Sequence, residues 1–303
     1  VIREQDSWIS RHRLSAFFGL AFLLSWYPWI IALARGQTTG PNPFGPFVAA
    51  IVITALAGGK QEVKALLGRL VRGRVGWRWY AIAFGLPIIL CLLAAAITVL
   101  VTGSQATLPA ADKWRDLPER FIFIFLFIGL GEEPGWRGFA VPQLQKKLSP
   151  MRASLVLAPL WALWHLPLLG NEFPWPVVGP FILSVFGATF LLTWIFNRTN
   201  GSALLPMLCH ATVNTVGAGL LFPLFSGTSL VLLWWIYGFI WLGVGLGALS
   251  FGANRNHHEC GRRRLSEPPM PPRSFPVSSS SAVSPTTISK AAESSPNFEP
   301  SIG

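Results

Sequence analysis

Between Leu14 and Phe251 the chain is a succession of long apolar stretches, which narrows the folds open to it. A segment immersed in lipid finds no water for its backbone, so it must satisfy its own N–H and C=O groups, as a helix does. Eight such stretches can be marked: 14–34, 46–58, 79–101, 121–141, 154–169, 177–196, 203–225 and 229–251. Most approach the roughly 20 residues that cross a hydrocarbon core of about 30 Å, the second and fifth being the shortest. Only 12% of the residues are charged, against about 25% in soluble domains. The expectation is an all-α polytopic membrane bundle of about eight transmembrane helices over 14–251, preceded by a cytoplasmic segment 1–13.

Charge sets the orientation. With the N-terminus cytoplasmic, eight spans leave 1–13, 59–78, 142–153, 197–202 and 252–303 on the inner side. Those segments hold 19 of the 24 Lys and Arg residues, against four in the outer loops (Arg35, Lys113, Arg115, Arg120) and Arg137 within a span. This is the positive-inside pattern, so the net charge of +11 is mostly a topology signal. It predicts a multi-pass protein of a plasma membrane with both termini cytoplasmic, and compact spans without a targeting peptide fit a prokaryotic one. The bilayer is the expected partner. Nucleic acid is not, since no basic domain face is present.

The first span runs for 21 residues without a small-residue cleavage site and reads as retained rather than as a signal peptide. Cys91, Cys209 and Cys260 form no metal or disulfide spacing. The last 52 residues, 252–303, hold eight prolines and eleven serines. Such a composition cannot offset its chain entropy by burial, so a disordered tail is expected.

The informative exceptions to apolarity lie inside three spans. One carries Glu132, Glu133 and Arg137, the next His165, and a later one His210 with Asn214. A charge at the bilayer centre costs at least about 2.5–3.5 kcal/mol, which marks such residues as functional candidates. Glu133 and Arg137, four apart, share a helical face and can pair. Glu132 points about 100° away and stays available as a base. Pro134-Gly135 favours a kink beside the two acids. Trp161, one turn before His165, can pack on its ring, and His210 and Asn214 share a face at i and i+4. Measured from the cytoplasmic ends of their spans at the helical rise, Glu132, His165 and His210 lie about 14, 16 and 11 Å deep, so they can converge. Two acids, two imidazoles, a guanidinium and a carboxamide are parts of a hydrolytic site.

The ordered set Glu-Glu-x-x-x-Arg, aromatic-x-x-x-His and His-x-x-x-Asn resembles that of the CPBP intramembrane proteases, which include type II CAAX prenyl endopeptidases and bacterial Abi-type proteins. The resemblance covers about 115–225 closely. Trp161 stands where Phe is usual, and Pro134-Gly135 is an unusual filling of the first motif. What the resemblance implies is that Glu132 activates water with help from His165, that His210 and Asn214 stabilise the oxyanion, and that Glu133 with Arg137 supports the site. It further implies endopeptidase activity on a membrane-associated protein or lipidated peptide, cut in the cytoplasmic half of the bilayer. Glu132, His165 and His210 can also bind zinc as in thermolysin-like sites. A metal-free glutamate mechanism fits the same residues, and the HExxH spacing of helix-borne zinc sites is absent. Two other functions remain open from the residues alone: a proton- or cation-coupled transporter using the Glu/His cluster as a relay, and a non-catalytic immunity or scaffold relative.

Overall fold

The structure, a computed structural model, describes residues 8–103 and 109–266, with side chains through Ser250. The chain divides into a unit ending at Cys260 and a second beginning at Gly261, and all described side chains belong to the first. The described residues are helical throughout, apart from turns and an isolated bridge between Leu169 and Phe173. The main runs are α1 (Arg13–Ala34), α2 (Gly45–Leu70), α3 (Trp77–Thr102), α4 (residues 117–145), α5 (Pro150–Trp164), α6 (Trp175–Arg198), α7 (Leu204–Val213, continued to Leu221 by a π-helix) and α8 (Gly227–Ser266).

Five of these are long and apolar enough to cross a membrane: Arg13–Ala34, Trp77–Thr102, Trp175–Arg198, Leu204–Leu224 and Gly227–Ser250. The chain is a multi-pass membrane protein. The other three runs fall short of that length and apolarity for three physical reasons. In α2 the apolar part ends at Gly59, whose left-handed backbone (φ 69°) breaks the helix before it continues into the charged residues Lys60 to Arg69. Run α4 is wound as alternating α and π pieces around its acids. Helix α5 has only 15 residues. It stops at Trp164 and is followed by a 3-10 turn, Leu166–Leu168, in which Pro167 has no N–H to extend the helix. His165 is the C-cap of α5.

The last helix continues past 252 to Ser266, and residues 267–303, most of the expected disordered tail, lie outside the described residues.

The loops sort into two ends. At one, Arg13 pairs with Glu62 at 2.7 Å, Arg72 donates to the Asn200 carbonyl, and Ser202 Oγ donates to the Arg72 carbonyl at 2.7 Å. Pro142, Gln145 and Lys146 join Arg69 and Arg72 around a hollow there. This is the end predicted to be cytoplasmic. At the other, Gly40 abuts Leu168 and the Arg120 side chain lies across Gly219.

The middle of α4 is the hub. Residues 131–141 are buried on every face, as a helix enclosed by a bundle must be. Two glycines allow it. A Cβ on Gly131 would stand 2.6 Å from the Pro43 carbonyl oxygen, and one on Gly135 2.5 Å from Pro46 Cβ. The start of α2 thus lies directly against the acidic motif, in the small-xxx-small manner by which membrane helices approach.

Candidate active site

Two carboxylates emerge from adjacent positions of α4 and are used differently. Glu133 Oε1 accepts from Arg137 Nη1 at 2.9 Å and from His210 Nδ1 at 2.9 Å, tying α4 to α7. Glu133 and Arg137 are fully buried. The four-residue pairing survives the π winding that begins at Pro134. Glu132, 2% exposed, turns the other way. Its Oε2 accepts from Trp161 Nε1 at 2.8 Å and from Trp136 Nε1 at 3.3 Å, leaving Oε1 unengaged by the described residues.

Trp161 holds the site together. Its ring lies under the Arg137 guanidinium, with Cζ 4.1 Å from the ring centroid, a cation–π arrangement. It also meets both imidazoles, with centroids 5.7 Å from His165 and 5.6 Å from His210. The expected packing on His165 is present; the bond to Glu132 and the stack on Arg137 were not anticipated. A signal was available, since a buried indole N–H seeks an acceptor and few acceptors lie inside a membrane.

The imidazoles are fixed by their Nδ1 atoms. His165 Nδ1 lies 2.7 Å from the Trp161 carbonyl oxygen. A carbonyl only accepts, so Nδ1 carries the proton and Nε2 of the neutral ring is an acceptor. His210 Nδ1 donates to Glu133 in the same way, leaving its Nε2 free. Asn214 opens the π-helix Asn214–Leu221, and its carboxamide has no hydrogen bond to another described residue. A π winding is often found at functional positions, and here two of them bracket the acidic pair while a third begins at Asn214.

Glu132, His165, His210 and Asn214 all line one cavity of about 490 Å³, together with Trp161, Trp164 and Phe181. The structure brings all four proposed reactive residues to one space, with Glu133 and Arg137 behind them. As for zinc, among the described residues no three His, Cys, Asp or Glu side chains are grouped so as to hold a metal ion. The donors Glu132, His165 and His210 line the same cavity without forming such a cradle.

An all-α multi-pass bundle with a buried Glu/His/Arg cluster on an internal cavity defines a membrane protein equipped for polar chemistry within its helices. Residues 114–216 match the family model described as Type II CAAX prenyl endopeptidase Rce1-like. Over 186 residues, which make up 57% of this chain and 69% of the relative, the sequence is 23% identical to CAAX prenyl protease 2 of Methanococcus maripaludis. This chain therefore carries a domain of the Rce1-like type II CAAX prenyl endopeptidase (CPBP) family and is a distant homologue of that protease.

Proposed function

We propose that the protein is a membrane-embedded endopeptidase in which Glu132 is the general base for an attacking water. The observation that carries this reading is the division of labour between adjacent acids. Glu133 is fully buried, bonded to Arg137 and His210 through one oxygen and absent from the cavity wall, whereas Glu132 is held by two indoles through one oxygen and lies on that wall with its other oxygen free.

The tautomers support the remaining roles. His165 Nε2, an acceptor, orients the water. Glu132 takes a proton as the water oxygen attacks the peptide carbonyl, and returns it to the amine as the C–N bond breaks. With Nδ1–H on Glu133, His210 donates from Nε2 as the imidazolium. In that form the four charges of Glu132, Glu133, Arg137 and His210 cancel, which a low-dielectric interior favours. His210 Nε2–H and the Asn214 amide then face the developing oxyanion, where preorganised donors act most strongly. No step passes through a metal.

The substrate is a membrane-associated protein or lipidated peptide, and the protein resides in the plasma membrane. Cleavage of a peptide library in liposomes, with and without chelator, tests the reading. Cleavage that is lost in Glu132→Gln supports it; proton or cation flux without cleavage would indicate the transporter instead, and neither activity a non-catalytic relative.

A further inference from the structure

Three cations line one hollow with no acid among them. Arg69 near the end of α2, Arg72 in the turn that follows and Lys146 after α4 face a space of about 370 Å³. Neither a carboxylate nor any residue of the Glu/His site lines it. Small-molecule sites occupy about 300–1,000 Å³, so the hollow is large enough for a ligand. Glu62, the acid whose field reaches Arg69, is paired with Arg13 at 2.7 Å and stands outside the lining. Burial, and after it the charge of Arg72, hold the Arg69 guanidinium below its ordinary pKa. The second cause is the repulsion of like charges gathered without a counter-ion.

The two arginines are anchored. Arg69 Nη1 donates to the Gly138 carbonyl and Arg72 Nη1 to that of Asn200. Their own carbonyls accept from Ala203 N–H at 2.9 Å and from Ser202 Oγ at 2.7 Å. Each guanidinium spends one of its five N–H donors in this way. The rest, with the Lys146 ammonium, meet no acceptor among the described residues. Gln145, also on the lining, buries its Nε2 without a partner, although buried amide donors are normally satisfied. Donors from two guanidiniums, an ammonium and an amide call for an anion with acceptors on several sides. A carboxylate has two oxygens in one plane, whereas a phosphate surrounds its centre with them and takes a guanidinium fork equally well. We infer that this hollow binds a phosphate group, carried by an anionic lipid headgroup or free in solution. Such a site stands whether or not Glu132 is the base of a peptidase.

The test is a titration of the full chain, purified in a neutral detergent, at constant ionic strength with melting temperature as the readout. The probes are dioctanoyl phosphatidylglycerol, inorganic phosphate, dioctanoylglycerol (the same chains without the phosphate) and acetate. A saturable rise is expected with phosphatidylglycerol, with inorganic phosphate or with both. The first alone assigns a lipid headgroup, the second alone a free phosphate, and both together a site that takes either. Lys146→Glu places an acid on the lining at an exposed position. It should raise the half-saturating concentration roughly tenfold or more, the effect of losing one hydrogen bond to a charged group. Arg35→Glu makes the same change in net charge at the C-cap of α1, outside the hollow, and should leave that concentration unchanged. Arg72→Gln is the second variant. Its titration is read as a rise from its own starting temperature, so the lost bond to Asn200 does not enter. No saturable rise with either phosphate probe overturns the inference, as does an equal rise with dioctanoylglycerol or acetate. So does binding that Lys146→Glu and Arg72→Gln leave intact, or that Arg35→Glu weakens as much as they do.

Discussion

Trp161 Nε1 donates to Glu132 Oε2 at 2.8 Å, joining two helices through residues 29 positions apart. The same ring carries the Arg137 guanidinium on its face. One side chain thereby orients the acid proposed as base and packs on the cation that neutralises its neighbour.

The two functions of Trp161 separate in Trp161→Phe. The ring is kept over Arg137, while Glu132 loses one of its two donors. A hydrogen bond to a charged group is worth about 1.5–3 kcal/mol, so turnover should fall by roughly tenfold or more while protein level stays normal. A fall in level with unchanged turnover per folded molecule would mean that the indole acts through packing alone.

Glu132→Gln keeps the volume, and its carbonyl can still accept from Trp136 and Trp161, but no base remains. Cleavage should fall by at least about 10²-fold with an unchanged melting temperature. Full activity would move the role to Glu133, which the bonds to Arg137 and His210 argue against.

Arg137→Ala acts on stability first. Glu133 would keep His210 but lose its buried guanidinium, and Trp161 would lose the stacked cation. Breaking a buried pair by removing one partner costs about 3–5 kcal/mol. Protein level and activity should drop together, read by fluorescence size exclusion and by turnover. A well-expressed, inactive variant would assign Arg137 to the chemistry.

Much of this site was legible because local periodicity writes it out. The Glu133–Arg137 pair follows from a four-residue spacing, and the order of the three motifs was enough to gather Glu132, His165, His210 and Asn214. The bond from His210 to Glu133 joins residues 77 apart, and no local spacing encodes it. The spans were less legible. Hydropathy counts an apolar residue the same whether it faces outward, as Leu155 and Leu163 do, or is enclosed by other helices, as residues 131–141 are. Gly131 and Gly135 carried a signal that went unread: small residues four apart mark a close helix contact, whereas Pro134-Gly135 suggested a kink.

That contact gives a prediction remote from the chemistry. In Gly135→Ala the new methyl would meet Pro46 at 2.5–2.7 Å, including its backbone, so α2 or α4 must shift. Overpacking of this kind costs about 1–3 kcal/mol. The melting temperature should drop, and activity with it, because Glu132 and Glu133 lie on the displaced segment. An unchanged melting temperature would show that the contact is looser than drawn.

Asn214→Ala tests the oxyanion assignment. A polar side chain in a membrane helix more often ties helices together, and removing such a tie costs about 1 kcal/mol. Here the carboxamide makes no such tie to any described residue, yet it lines the cavity beside His210. Stability should therefore change little. Loss of one oxyanion donor lowers turnover by about 10²–10³-fold, while apparent affinity holds, because the donor acts on charge that exists only in the transition state. Turnover, affinity and melting temperature measured on one purified variant decide the matter. A stable protein with normal turnover would remove Asn214 from the reaction and leave His210 as the donor to examine.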